Sequence, residues 1–196
     1  MQEDRPFEII FIARGGQGAW TSSILIAQAA LHAKKYAQSF PEFGPERSGA
    51  PVRAYARIYD KPIEIHAGTM KADVVAVIDG SLAYMTKNFV REGGIVIVNS
   101  PEDPAELRRK LGLPESAKVY AVDGTKIALE TLGRPIANTA ILGSLVRVLE
   151  ELGIKYVSLD NLIAAVRDVL GERYSEKIVS GNIEAVKRAY KEVRGL

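Results

Sequence analysis

Short apolar runs alternate with longer segments of helical spacing through most of the chain. The apolar runs predict strands at residues 7–13, 36–40, 52–58, 72–78, 94–99 and 118–122. Apolar residues at helical spacing predict helices at residues 21–34, 82–90, 104–111, 125–132, 139–152, 159–169, 175–178 and 183–193. Uninterrupted apolar strands are typical of parallel sheets covered on both faces, and strand–helix alternation predicts crossover helices between them.

The segment between Tyr36 and His66 interrupts this alternation. Residues 41–51, PEFGPERSGAP, contain three prolines and two glycines and are predicted to form a loop, here called the proline-rich loop. Residues 63–66 are predicted to pair with strand 52–58 through a turn at 59–62. The sequence therefore predicts a single α/β domain over residues 1–196. Its fold is a Rossmann-like open, mostly parallel sheet flanked by helices, with a β-hairpin-like insertion around residues 40–66.

Composition and charge exclude several kinds of site. The chain has no cysteine, so it forms no disulfide and ligates no iron–sulfur cluster through thiolates. Its two histidines, His32 and His66, lie far apart, and no metal site is expected. The net charge is +2 with dispersed basic residues, which does not favour nucleic acid as a partner. No apolar run approaches the roughly 20 residues of a membrane helix, and the N-terminus lacks a secretory signal, so we expect a cytoplasmic protein and no membrane partner.

Three glycines follow the first predicted strand, in the stretch RGGQG, here called the glycine-rich turn. In open α/β sheets, ligands bind beyond the carboxyl ends of the strands, and glycine allows the backbone to approach a phosphate closely. The candidate anion-binding residues are Arg14, Gly15, Gly16, Gln17 and Gly18. A tight turn that serves only helix–sheet packing is an alternative. An NAD site is another, although Thr21 stands where the third glycine of the dinucleotide signature belongs.

The proline-rich loop and its flank are dense in charge, with Glu42, Glu46, Arg47 and Arg53. Prolines reduce the entropy lost on ordering, so this loop is either preshaped for binding or an ordinary solvated loop with weak ion pairs.

Two shorter motifs are interpreted as structural. IDGS, residues 78–81, partly matches a thiamine diphosphate motif but lacks its first glycine, so we interpret it as a strand-end turn. Asn138 precedes a predicted helix and is a candidate cap for it.

Together, RGGQG and FPEFGPERSGAPVRAYARI, residues 40–58, resemble the gamma subunit of 2-oxoacid:ferredoxin oxidoreductases, most closely the pyruvate and 2-oxoisovalerate enzymes. NTAILGSLVR, residues 138–147, and NIEAVKRAYKEV, residues 182–193, are similar to two further stretches of that family. The resemblance therefore extends over nearly the whole chain. One departure is Ala13, where relatives often have glycine.

The resemblance implies a subunit of an enzyme that oxidatively decarboxylates a 2-oxoacid, most closely pyruvate, forms acyl-coenzyme A and passes electrons to ferredoxin. It implies alpha, beta and delta-type partner subunits, which carry thiamine diphosphate, magnesium and iron–sulfur clusters. This chain is expected to hold none of these cofactors by itself, to supply no catalytic residue and to be inactive alone. Which 2-oxoacid is used, and whether the chain serves two enzymes, is not specified by the sequence.

The family's gamma subunit is implicated in admitting coenzyme A, and the glycine-rich turn suits its phosphates. The candidate coenzyme A contacts are Arg14, Gly15, Gly16, Gln17, Gly18, Arg47 and Arg53. The candidate interface residues are Glu42, Phe43, Gly44, Pro45 and Glu46, of which the two glutamates position arginines or bridge to another subunit. Alternatively, both segments build the subunit interface and contact no ligand. A different class of function, a freestanding nucleotide- or coenzyme A-binding Rossmann-like protein, is less favoured, because no nucleophile or acid–base pair occurs at a recognisable spacing.

Overall fold

A six-stranded sheet forms the centre of the computed structural model, which describes residues 4–42, 49–65 and 68–195. The strands are β1 (Phe7–Arg14), β2 (Tyr36–Pro41), β3 (Pro51–Tyr59), β4 (Ala72–Val77), β5 (Val90–Asn99) and β6 (Lys118–Val122). Their order in the sheet is β2-β3-β1-β4-β5-β6. Strands β1, β4, β5 and β6 are parallel, and β3 is antiparallel to both of its neighbours. The predicted open, mostly parallel α/β sheet is confirmed.

Helices cover both faces of the sheet, unequally. The helices are α1 (Ala19–His32), α2 (Thr86–Phe89), α3 (Pro104–Leu111), α4 (Gly124–Leu132), α5 (Asn138–Glu151), α6 (Leu159–Gly171) and α7 (Glu176–Glu192), with a 3-10 turn at Gly80–Met85. Alternate side chains of β1 point to opposite faces, as the pleat requires. Ile9 and Phe11 pack in the larger core with α1 and α4–α7, whereas Ile10 and Ile12 pack in the smaller core with the 3-10 turn and α3. No described helix is long and apolar enough to cross a membrane.

Local sequence signals account for several helix ends. Asp103 caps α3 by accepting hydrogen bonds from the backbone N–H groups of Ala105 and Glu106, and Pro104 occupies the first turn, where its missing N–H costs nothing. Gly112 ends the same helix in the left-handed conformation. Ser158 and Asn161 form a reciprocal capping box at the start of α6.

The helix predicted at residues 82–90 is mostly wrong. The chain there forms the 3-10 turn and the single-turn helix α2, and β5 already begins at Val90. Gly93 and Gly94 lie inside this strand rather than after a helix. A Cβ on Gly94 would lie 2.9 Å from the carbonyl oxygen of Arg91, so the glycine permits a local irregularity where β5 pairs with β4.

The strand predicted at residues 63–66 is also wrong over its described part. Residues 63–65 form no strand, and their backbone is bound by side chains instead. Gln38 Nε2 donates to the carbonyl oxygen of Ile63 at 3.1 Å, and Arg57 Nη1 donates to that of Ile65 at 3.2 Å. His66 lies outside the described residues. Strand β3 pairs with β2 in an antiparallel hairpin, so the hairpin is connected through the proline-rich loop rather than the turn at 59–62.

The two helices predicted at residues 175–178 and 183–193 are one continuous helix, α7. Residues 179–182, which lie between the two predicted helices, belong to the same helix. In the structure, a Cβ on Gly181 would lie 2.8 Å from Leu132 Cδ2 and 2.9 Å from the carbonyl oxygen of Thr131. The glycine therefore allows α7 to approach the end of α4 closely.

Candidate functional site

The two segments singled out in the sequence meet at the carboxyl edge of the parallel strands. In the antiparallel pair β1–β3, Arg14 lies opposite Pro51 and Ile12 lies opposite Arg53, so the start of β3 lies beside the end of β1. The backbone N–H of Gly15 donates to the carbonyl oxygen of Ala50 at 2.9 Å. The glycine-rich turn and the described ends of the proline-rich loop are thereby held side by side.

A cavity of about 380 Å³ lies between these segments, and we call it the strand-end cavity. Gly15, Gly16 and Gly18 line one side, and Glu42 and Arg53 line the other. It is also bordered by Arg14 and by the half-exposed indole of Trp20. Of the other predicted contact and interface residues, Gln17 is not among the residues that line the cavity, and Phe43, Gly44, Pro45, Glu46 and Arg47 lie outside the described residues.

The glycines of the turn serve distinct structural needs. Gly16 and Gly18 have φ values of 91° and 86°, in the left-handed region that favours glycine. A Cβ on Gly16 would meet no atom within 4 Å, so its backbone is open to approach from the cavity. A Cβ on Gly18 would lie 2.7 Å from Asn138 Nδ2, so Gly18 also permits close packing against the start of α5.

Asn138 does not cap α5 as predicted. It is the first residue of the helix, the N-cap position is Ala137, and no side-chain cap hydrogen bond is present. The Asn138 side chain is instead buried against Gly18. This contact links the glycine-rich turn to a helix that is distant in sequence.

Helix α1 begins beside the cavity without a side-chain cap. Its N-cap residue is Gly18, which has no side chain to offer, and its first turn contains no acidic residue. The N–H groups at a helix N-terminus and the positive end of the helix dipole attract anions. This end of α1 is therefore suited to a negatively charged group.

The Arg14 side chain extends from the end of β1 and is held by three groups. Its Nε lies 3.4 Å from Asp79 Oδ2. Its Nη1 donates to the carbonyl oxygen of Gly49 at 3.2 Å, and its Nη2 donates to Ser81 Oγ at 3.0 Å. The side chain is 40% exposed, so the guanidinium is oriented and still reachable from solvent.

Gln17 and Asp79 connect the glycine-rich turn to the end of β4. Gln17 Oε1 accepts a hydrogen bond from the backbone N–H of Arg14 at 2.7 Å, and Gln17 Nε2 donates to Asp79 Oδ2 at 2.8 Å. Asp79 also accepts from the backbone N–H and the hydroxyl of Ser81. Burial alone would raise the pKa of Asp79, but the hydrogen bonds from Ser81 and Gln17 and the charge of Arg14 hold it below its ordinary value.

On the opposite side of the cavity, Arg53 is held by Glu42 and by an aromatic ring. Its Nε and Nη2 donate to the two carboxylate oxygens of Glu42 at 2.6 and 2.5 Å. The guanidinium carbon lies 4.4 Å from the centre of the Phe89 ring, within cation–π distance. The hydrogen bonds from Arg53 and Tyr55 hold the pKa of Glu42 below its ordinary value against the opposing effect of burial.

Around the cavity, the described charges are balanced. Each arginine is paired with one carboxylate, Arg14 with Asp79 and Arg53 with Glu42. An anion bound here would therefore be recognised by directed hydrogen bonds from guanidinium and backbone N–H groups more than by net positive charge. No sequence signal indicated a role for Asp79, Ser81 or Phe89 at a binding site, apart from the Asp-Gly pair at the end of a predicted strand.

Asn99 holds the neighbouring strand ends together. Its Nδ2 donates to the carbonyl oxygen of Ile78 and to Thr125 Oγ1, both at 2.8 Å, and its Oδ1 accepts from the backbone N–H of Thr125 at 3.1 Å. These bonds engage both amide hydrogens and the amide oxygen, so the Asn99 side chain has a structural role. Within the described residues, no group of three or more His, Asp or Glu side chains is arranged to hold a metal ion.

Comparisons with known proteins agree over nearly the full length. A family model described as pyruvate ferredoxin/flavodoxin oxidoreductase matches residues 8–192. Pyruvate synthase subunit PorC of Thermotoga maritima is 40% identical over 189 residues, which cover 96% of this chain and 95% of the relative. The common gamma subunit of the pyruvate/ketoisovalerate oxidoreductases of Thermococcus litoralis is 43% identical over 185 residues, which cover 93% of this chain and 95% of the relative. The crystal structure of the Thermotoga maritima pyruvate oxidoreductase subunit PORC is similar, with a TM-score of 0.81 and 37% identity. The match covers 97% of this chain and 98% of that subunit.

Proposed function

The chain belongs to the pyruvate ferredoxin/flavodoxin oxidoreductase family, and from this premise we propose how it contributes to the enzyme. It is a gamma-type subunit of a multi-subunit 2-oxoacid:ferredoxin oxidoreductase, as its relatives are. This membership favours the subunit over a freestanding nucleotide-binding protein.

We propose pyruvate as the 2-oxoacid, on the strength of relatives named for pyruvate synthase. In the proposed reaction, pyruvate loses carbon dioxide, its acetyl group forms a thioester with coenzyme A, and two electrons pass to ferredoxin. Alpha, beta and delta-type subunits would carry thiamine diphosphate, magnesium and the iron–sulfur clusters, since this chain has no cysteine to ligate a cluster. A cytoplasmic location belongs to the same proposal.

The chain's own contribution is to receive the phosphates of coenzyme A at the strand-end cavity. The observation that supports this is the convergence of the glycine-rich turn and the Glu42–Arg53 pair on one opening. The open backbone at Gly16 and the uncapped start of α1 offer N–H groups, and the arginines offer charge-assisted donors. Arg47 remains part of the proposal, as does an interface role for residues 43–46.

The test is the Michaelis constant for coenzyme A in the assembled enzyme. Arg14→Ala and Arg53→Ala should each raise this constant by about fivefold, because a charge-assisted hydrogen bond in a partly exposed site is lost. The Michaelis constant for pyruvate should change by less than about twofold in the same variants, since pyruvate would bind elsewhere. Arg109→Ala is the matched control, because Arg109 is an exposed arginine on α3.

The competing role at the subunit interface gives a different result. If these arginines only join subunits, the variants would assemble poorly, and the enzyme that does assemble would retain its normal Michaelis constant for coenzyme A. That outcome would reject the coenzyme A contact and assign the cavity to a protein partner.

A further inference from the structure

Asp79 receives hydrogen bonds from both the glycine-rich turn and the 3-10 turn that follows β4. Its Oδ2 accepts from Gln17 Nε2 and lies 3.4 Å from Arg14 Nε. Its Oδ1 accepts from the backbone N–H and the hydroxyl of Ser81 at 3.0 and 2.7 Å. The Asp79 carboxylate thus joins two segments that are more than 60 residues apart in the sequence.

We infer that Asp79 is a positioning residue that fixes the Arg14 guanidinium in the orientation that receives the phosphate-bearing end of coenzyme A. The inference rests on the proposed function. It assigns a role at the site to the Asp-Gly turn after β4, which was predicted to be a structural strand-end turn.

The geometry gives the reason for this role. A long arginine side chain loses much conformational freedom when it binds a ligand, and an arginine already oriented by the protein loses less. Asp79 and Ser81 hold two of the three guanidinium nitrogens of Arg14, while Gln17 holds its backbone N–H. Asp79 lies beside the Arg14 Nε and also binds the Ser81 hydroxyl that holds Nη2, so two of the three contacts that orient the guanidinium involve this carboxylate, and the Gly49 carbonyl provides the third.

Asparagine at position 79 cannot reproduce these contacts in either amide orientation. One orientation directs its NH₂ group at the donors Gln17 Nε2 and Arg14 Nε, and the other directs it at the backbone N–H of Ser81. In each case, an acceptor is replaced by a donor that faces another donor. Asp79→Asn should therefore release Arg14 while changing the side-chain volume very little.

The experiment is a double-mutant cycle on the assembled enzyme, with Asp79→Asn, Arg14→Ala and the double variant. We expect Asp79→Asn to raise the Michaelis constant for coenzyme A about fivefold, with less than about a twofold change in kcat. In the Arg14→Ala background, Asp79→Asn should add less than about twofold, because a residue that acts through Arg14 has nothing left to position. A purely structural role would give effects that multiply and would not be confined to coenzyme A.

Asp103→Asn is the matched control. Asp103 also caps a helix by accepting from backbone N–H groups, but it lies at the start of α3 and contacts no arginine of the cavity. The control should leave the Michaelis constant for coenzyme A unchanged.

The outcomes separate this inference from the function on which it rests. If Arg14→Ala leaves the Michaelis constant for coenzyme A unchanged, the Arg14 contact is wrong, and the role of Asp79 falls with it. If Arg14→Ala raises that constant but Asp79→Asn does not, or if the two effects multiply, only the positioning role is overturned.

A second measurement, on the full chain by itself, tests the inference if the Asp79→Asn variant does not assemble with its partner subunits. The side-chain Nε–H of Arg14, followed by NMR, should exchange with solvent about fivefold faster in Asp79→Asn than in the original chain, because the carboxylate that lies 3.4 Å from Nε is lost and the guanidinium is freer to move into solvent. Unchanged exchange in a folded variant would overturn the inference.

Discussion

Around the strand-end cavity, each described charged side chain is oriented by a partner of opposite charge. Glu42 shows this most clearly, since its carboxylate accepts from Arg53 and from the phenol of Tyr55. Tyr55 itself is buried and stacks on Phe40, with ring centres 5.1 Å apart. The position of Arg53 at the cavity is therefore set by a small network that extends into the sheet.

The ionisation of Tyr55 gives a prediction at the residue scale. Burial, together with the hydrogen bond to Glu42, raises the pKa of Tyr55 to about 12, against about 10 in an unfolded chain. Between these values the unfolded state loses a proton that the folded state keeps, so the contribution of Tyr55 to stability is complete below about pH 10 and is lost as the pH rises through about 12.

We expect Tyr55→Phe to lose less stability than the original chain between about pH 9 and pH 11, because the substituted side chain no longer titrates. The measurement is the urea midpoint at both pH values, with Tyr174→Phe, at a half-exposed tyrosine, as the control. Equal losses in Tyr55→Phe and the original chain would contradict the prediction.

Close helix packing decides the architecture at the scale of the elements. Helices α5 and α7 approach so closely at Gly143 that a Cβ there would lie 2.1 Å from the carbonyl oxygen of Val186. Polar contacts lie along the same interface, where Thr139 Oγ1 donates to Asn182 Oδ1 at 3.0 Å and Ser144 Oγ donates to the carbonyl oxygen of Ala189 at 3.3 Å. Since α5 also carries Asn138, which packs against Gly18, this interface supports one side of the glycine-rich turn.

Gly143→Ala should force α5 and α7 apart and destabilise the chain by about 3 kcal/mol, which corresponds to a fall in Tm of roughly 10 °C for a domain of this size. Gly171→Ala is the matched control, because a Cβ at that helical glycine would meet no atom within 4 Å. It should be neutral or slightly stabilising, since alanine has the higher helix propensity. Thermal unfolding of both variants measures the difference, and equal Tm values would show that the close approach costs nothing.

At the scale of the whole molecule, the groups proposed to bind coenzyme A lie at one edge of the sheet. The uncapped start of α1, the two ion-paired arginines and the strand-end cavity all lie there. The chain has no cysteine, and its described residues form no metal-binding cluster. Under the proposed function, this edge receives coenzyme A and the redox centres belong to other subunits.

The full chain alone should therefore show no pyruvate-dependent reduction of ferredoxin. Activity should appear only when the partner subunits are added, and untagged preparations from the native source should contain this chain together with iron-bearing proteins. Ferredoxin reduction and iron content measure the two expectations. Turnover by the purified chain in the absence of other proteins would contradict the assignment as a subunit without its own redox chemistry.

Local patterns in the sequence were sufficient to predict the six strands, most of the helices and the glycine-rich turn. Apolar periodicity reports which residues must be buried, and strand β1 and helix α3 were recognisable within a few neighbouring positions. The same patterns gave wrong predictions where a residue packs against a segment that is distant in the sequence. Helix α7 was predicted as two helices, and the packing of its Gly181 against α4, a distant segment, is not visible in local spacing.

The sequence by itself determined the fold class, the family resemblance and the two segments that border the strand-end cavity, because these depend on residue types and short spacings. Only the tertiary structure brought Arg14 and Arg53 to the same cavity, hydrogen-bonded Gln17 to Asp79 and packed Asn138 against Gly18. These contacts depend on the strand order, in which β3 and β4 flank β1 although β2 follows β1 along the chain. That order is set by the packing of the whole sheet and its helices, and no local pattern encodes it.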